Sequence, residues 1–207
     1  MSRQSGRSYD DNWLSMKKLL IFAVIGALAV SGCRSTAEVF EIGEAGERNV
    51  GPCPRAFALY DAARIVEFRG EGQRYDNVGF TGEISKVTSL CRYVGDNPIT
   101  GDVTITFDLG RGPATDGQRD AVYQYWVAVT RKNIAVIDKQ TFPLRVTFPE
   151  GSDRIRVTKT VEDFSISRVS DTTSGENFEI IVGFEVTPEQ RAFNNEGRRF
   201  RVNAGQG

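Results

Sequence analysis

This 207-residue chain is expected to fold as an antiparallel all-β sandwich with one short C-terminal helix, and three observations point there. Apolar residues recur at every second position in "DVTITFDLG" and "NFEIIVGFEV", the period of a half-buried strand. About seven to nine such runs follow one another at roughly 8–12-residue intervals, separated by Gly, Asn, Asp and Pro clusters, the spacing of sandwiches and barrels. A helix with both a start and a stop signal is written only once, in "TPEQRAFNNEG".

The first element is a leader. Lys17 and Lys18 precede "LLIFAVIGALAV", Leu19 to Val30, a basic segment followed by 12 apolar residues. A helix that spans a bilayer needs about 20 apolar residues. The run is too short for that and reads as a secretory signal. Residues 1–15 are long and polar for such a leader and carry Asp10 and Asp11, so translation is expected to start at Met16; a long natural leader is the alternative.

The leader ends in Val30-Ser31-Gly32-Cys33. This resembles the bacterial lipobox, in which an aliphatic residue, two small residues and a cysteine mark lipoprotein processing, and the resemblance covers residues 16–33. It implies cleavage before Cys33, a diacylglycerol on the Cys33 thiol and acylation of the new amino terminus, of the palmitate type. Small residues suit a site where a peptidase must approach the backbone closely. One acyl chain holds a protein to a bilayer only marginally, whereas two or three hold it stably. Position 34 is Arg rather than the Asp that resembles an inner-membrane retention signal, which favours the outer membrane. The resemblance therefore implies a periplasm-facing protein in the cell envelope whose partner is the membrane itself. Residues 1–32 form the signal peptide in this division, 33–51 a flexible tether and 52–207 a single sandwich domain.

The tether "RSTAEVFEIGEAGERNVG" is rich in small, charged and glycine residues. Beyond it lie Cys53 and Cys91, an even pair once Cys33 is assigned to the lipid. In an oxidising periplasm they are expected to bridge; two buried free thiols are the alternative. Closing a loop of 38 residues stabilises by roughly 4 kcal/mol as an upper figure. Pro52 and Pro54 favour extended backbone around Cys53.

The strands follow in order. "AFALYDAARIVEFRG" is read either as one long strand broken near Asp61-Ala62-Ala63 or as a short helix. "VGFTGEISKVTSLCRYVG" alternates, but its phase slips between Ile84 and Val87, so a bulge is expected there. "DVTITFDLG" turns Val103, Ile105, Phe107 and Leu109 inward. "AVYQYWVAVTRKNIAVIDKQTF" reads as a hairpin around Arg131-Lys132-Asn133, with Tyr123, Tyr125, Val127 and Val129 on one face and Gln124, Trp126 and Ala128 on the other. Pro143 should start or edge the next strand, "LRVTF". "RIRVTKTVEDFSIS" supplies one or two strands. "NFEIIVGFEV" is the most regular strand of all. Thr187 then caps a helix with Pro188 at its first position, Gln190 completes a capping box and Gly197 stops it. The architecture is immunoglobulin- or fibronectin-like only in outline, because Trp126 follows both cysteines instead of lying between them.

The chain contains no histidine. That removes Ser-His and Cys-His nucleophile pairs and the imidazole-based zinc and iron sites. The net charge is −1, and the 22 basic and 25 acidic side chains from residue 33 onward leave −3, so no basic surface announces nucleic acid. Asp96, Asn97 and Asp102 in "VGDNPITGD", and Asp108, Asp116 and Asp120 in "DLGRGPATDGQRD", lack calcium-loop spacing and read as turn chemistry. "GEGQRYDNVG" and "GRGPATDG" lack the strand-to-helix context of a phosphate loop. No catalytic residue, metal ligand or cofactor site is assigned, and the protein is expected not to be an enzyme.

Two surfaces are candidates for interaction. Tyr123, Tyr125 and Trp126 stand close together with Arg131 and Lys132 at the turn, an interface-like composition. Arg198, Arg199 and Arg201 surround Phe200 in the tail. The expected function is that of a structural or interaction module in envelope assembly or maintenance, with a protein of the envelope as its partner. The alternative is a small-ligand or glycan binder with an aromatic platform near Trp126.

Overall fold

The computed structural model describes residue 49 and residues 51–200. Eight strands form two four-stranded sheets. They are β1 (Arg55–Ala58), β2 (Arg64–Phe68), β3 (Val78–Arg92), β4 (Ile99–Arg111), β5 (Asp120–Arg131), β6 (Ala135–Thr147), β7 (Arg154–Ile166) and β8 (Phe178–Phe184). One sheet has the order β1-β8-β5-β6 and the other β2-β3-β4-β7. Among the described residues a single α-helix, α1 (Pro188–Asn195), follows β8. The all-β sandwich with one short C-terminal helix is therefore the fold.

One strand departs from the antiparallel expectation. β1 pairs parallel with β8, with Arg55 opposite Glu179 and Ala58 opposite Val182. The cause lies in the ambiguous "AFALYDAARIVEFRG". It breaks near Asp61-Ala62-Ala63, as one of its two readings has it, but the pieces on either side are strands of different sheets. A 3-10 turn at Tyr60–Ala62 carries the chain between the sheets, with Ala62 buried beneath it.

Alternation builds the core. Phe80, Ile84, Val103, Ile105, Phe107 and Leu109 from one sheet meet Tyr123, Tyr125, Leu144, Ile180, Val182 and Phe184 from the other. The phase slip in β3 is a register shift against β4 between Ile84 and Lys86. It turns Val87, Ser89 and Cys91 to the inner side while Thr88, Leu90 and Arg92 stay exposed. Pro143 does not start a strand but takes the other place expected of it, on an edge strand. It lies inside β6, which occupies a sheet edge where one side of the backbone faces solvent.

The helix is built as its sequence dictates. The Thr187 hydroxyl accepts from the Gln190 N–H, and the Gln190 side chain accepts from the Thr187 N–H. The same Gln190 amide donates to the Val66 carbonyl, and the Asn194 amide donates to the carbonyls of Asp61 and Arg64. These bonds fix α1 beside β2, where Phe193 packs with Val66 and Val78.

Candidate functional site

Register places one charged residue of each strand of the second sheet in a single row: Arg64, Glu83, Asp108 and Arg156. Their neighbours Ile65, Leu109 and Ile155 face the core, so the charged row belongs to the outer face. Arg156 grips Asp108 with two hydrogen bonds, 2.6 and 3.1 Å long. This pairing holds the Asp108 carboxyl below its ordinary range and raises the Arg156 guanidinium, against a smaller opposing effect of burial on Asp108. Arg64 reaches Glu83 at 3.5 Å.

Above this row lies an open groove of about 480 Å³. The charged row and Thr81 line its base, Arg154 rises beside it from β7, and Arg198, Arg199 and Phe200 stand on the α1 side. Phe200 is held by an aromatic cluster, stacked on Phe193 with ring centroids 5.7 Å apart and edge-on to Phe68 at the same separation. Gly110, the next outward position on β4, has no side chain to fill the space.

A second feature sits at the end of the sandwich where the described chain begins. The Asn49 side chain donates to the Cys91 carbonyl and accepts from the Tyr93 N–H. Cys53 and Cys91 are joined in a disulfide at this end, Cα atoms 5.6 Å apart. The Tyr93 hydroxyl donates to Pro52 and accepts from Gly175, tying the 168–177 loop to the entering chain. The β5–β6 turn joins the same end, because the Lys132 N–H donates to Asn177. Ile134 in this turn and Val136 near the start of β6 are 70 and 62% exposed, Ile137 beside it is also exposed, and Val169 in the neighbouring loop is 82% exposed.

The aromatic surface expected on the β5–β6 hairpin is corrected. Tyr123 and Tyr125 are 5 and 4% exposed and point into the core. Burial pushes both hydroxyls above their ordinary pKa, with nearby Glu67 adding to the effect on Tyr123. Trp126 faces the opposite side, since successive strand residues alternate. There it is half-buried, packed over Gly183, donating to the Phe184 carbonyl at 3.1 Å and covered by the Lys139 ammonium 4.9 Å from its ring. The three aromatics form no common platform.

Of the tail residues, Arg198, Arg199 and Phe200 come together at the groove; residues 198–200 form no strand, and Arg201 lies outside the described residues. Cys33, the leader and residues 34–48 of the tether also lie outside them. The structure supplies the partners that sequence reading missed, namely Arg64, Glu83, Arg154 and Arg156, and it corrects Asp108, read as turn chemistry, to an outward position inside β4. Each strand showed its outward charges, but only register aligns them.

The fold and groove define a β-sandwich with a charged, open cleft on one sheet face. No protein-family model matches the chain, and no curated protein matches it.

Proposed function

We propose that this chain is a membrane-anchored lipoprotein of the bacterial envelope, facing the periplasm, and that its sandwich works as a structural or interaction module rather than a catalyst. The anchor is Cys33, through the lipobox that ends the leader, and Arg34 favours the outer membrane. The observation that carries this reading is the coincidence at one end of the domain. The chain enters at Asn49 beside the end that exposes Ile134, Val136, Ile137 and Val169. Exposed aliphatic side chains gathered at one end suit contact with an apolar medium, and a lipid on Cys33 would hold a bilayer within reach of that end. Sixteen residues, 34 to 49, span at most about 55 Å when extended, so the tether alone sets no orientation and the apolar end supplies one.

The groove supports a binding role over a catalytic one. Its two carboxylates, Glu83 and Asp108, are each engaged by an arginine, and Asp108 is held ionised, which suits salt-bridged architecture better than proton donation. Fractionation of cells that carry Cys33→Ala tests the anchor. The variant is expected in the soluble fraction, and a variant that still sediments with membranes after a high-salt wash overturns the lipid anchor.

A further inference from the structure

We propose that the groove on the outer face of β2-β3-β4-β7 binds an acidic peptide segment of a partner protein. This rests on the interaction-module reading and adds the chemistry of what is bound. Five arginines line the groove against two carboxylates. The chain as a whole carries a net charge of −1, so the excess is local and not a reflection of composition.

Pairing sharpens the point. Glu83 is engaged by Arg64, Asp108 by Arg156, and Arg198 by Glu196 from outside the groove. Among the described residues Arg154 and Arg199 have no acidic partner, and they stand on opposite sides. Arg154 belongs to the edge strand β7, and Arg199 follows α1, which lies beside β2. A guanidinium presents a planar fork of donors that a carboxylate can accept from with both oxygens.

The dimensions fit an extended peptide. Four strands about 4.8 Å apart place β2 and β7 about 14 Å apart, close to the span of residues i and i+4 in an extended chain at about 3.3 Å per residue. Carboxylates of a peptide laid across the sheet would meet Arg154 on one side and Arg199 on the other, and the Phe200 ring, packed on Phe193 and Phe68, offers an apolar contact beside Arg199. The groove lies on a sheet face, away from the Asn49 end, so a bilayer held at that end would leave it open to a protein rather than to lipid headgroups.

The test is fluorescence polarisation of the full-length chain in detergent with fluorescein-labelled hexaglutamate, hexaglutamine as the neutral control and inorganic tripolyphosphate as the phosphate probe. Hexaglutamate is expected to bind, to weaken as salt is raised, and to lose at least tenfold in affinity in Arg154→Ala/Arg199→Ala. Both side chains lie on the surface, so the melting temperature of that variant should match the parent. Arg131→Ala/Lys132→Ala, at the other end of the domain, should bind as the parent does. Equal affinity of the parent and the Arg154/Arg199 variant overturns the proposal, as does equal binding of hexaglutamine or no binding of hexaglutamate. Tripolyphosphate binding without hexaglutamate binding overturns it in favour of a phosphate site. None of these readouts depends on Cys33, so failure of the anchor is seen separately in the fractionation of Cys33→Ala.

Discussion

Arg168 lies over the Tyr93 ring, its guanidinium carbon 5.0 Å from the ring centroid. From there it donates to four main-chain carbonyls, those of Gly95, Asn97, Asp171 and Thr173. One cation thus joins the β3–β4 loop to the loop before β8, with an aromatic face beneath it. Arg168→Ala removes every one of these bonds and leaves carbonyls that water must satisfy. We expect a loss of about 1.5–3 kcal/mol in urea unfolding. Arg168→Lys should recover only part of it, since an ammonium cannot serve four carbonyls in a planar fork. A variant as stable as the parent would show that these loops are held by other contacts.

The same end is held by the Cys53–Cys91 disulfide, which closes a loop of 38 residues. Cys53→Ala/Cys91→Ala is expected to lose up to about 4 kcal/mol, read as a lower urea midpoint. Adding reductant to the parent should lower its midpoint by a similar amount and leave the double variant unchanged.

The pairing of Asp108 with Arg156 makes a pH signature. Because the folded-state pKa of Asp108 is lowered, its ionised form contributes stability above the unfolded value of about 4, and that contribution is lost as pH falls through the folded value. Arg156 is well exposed and Asp108 partly so, so the effect is small and screened by salt. The difference in urea midpoint between the parent and Asp108→Asn should therefore be greatest near neutral pH, shrink below pH 4 and diminish in high salt. A difference that stays constant from pH 7 to pH 2.5 would sink this assignment.

Much of this fold could be read from the sequence because its signals are local. The capping box at Thr187 and Gln190 involves residues three apart, and the alternation of Val103, Ile105, Phe107 and Leu109 is complete within one strand. Even the bulge after Ile84 was visible, since a phase slip is itself a local pattern. The groove was hidden because its row joins Arg64, Glu83, Asp108 and Arg156 across three strand pairings. Nothing near any one of them in sequence states the register. The parallel pairing of β1 with β8 escaped for a related reason: Tyr60–Ala62 has no strong breaker, and whether it bends one strand or changes sheets depends on what β8 offers. The Tyr123, Tyr125 and Trp126 cluster misled because adjacent strand residues lie close along the chain but on opposite faces.

The helix cap offers a local test of how the α1 side of the groove is held. Thr187→Ala removes the hydroxyl that accepts from Gln190 and should cost about 1 kcal/mol. Gln190 also bonds to Val66, so loosening the cap should loosen the contact of α1 with β2. Amide exchange is expected to speed up in residues 188–197 and not in β5. Equal acceleration across both regions would mean that the cap acts on global stability alone.

Gly183 tests where Trp126 belongs. A Cβ built at Gly183 would lie 2.5 Å from the indole Cζ2 and 2.8 Å from the Ala62 Cβ, so neither side has room for a methyl group. The indole is held there by its bond to the Phe184 carbonyl and by Lys139 above the ring. Gly183→Ala should therefore push the ring outward, breaking its bond to Phe184 and exposing it to water. The expected readout is a red shift of tryptophan emission with easier quenching by acrylamide, together with a loss of about 1–3 kcal/mol from overpacking. Trp126→Phe in the Gly183→Ala background should abolish the spectral change and recover part of the stability, because the smaller ring leaves room for the methyl group. If Gly183→Ala leaves emission and stability unchanged, Trp126 is not seated against Gly183, and an exposed aromatic platform on this face becomes the better account of it.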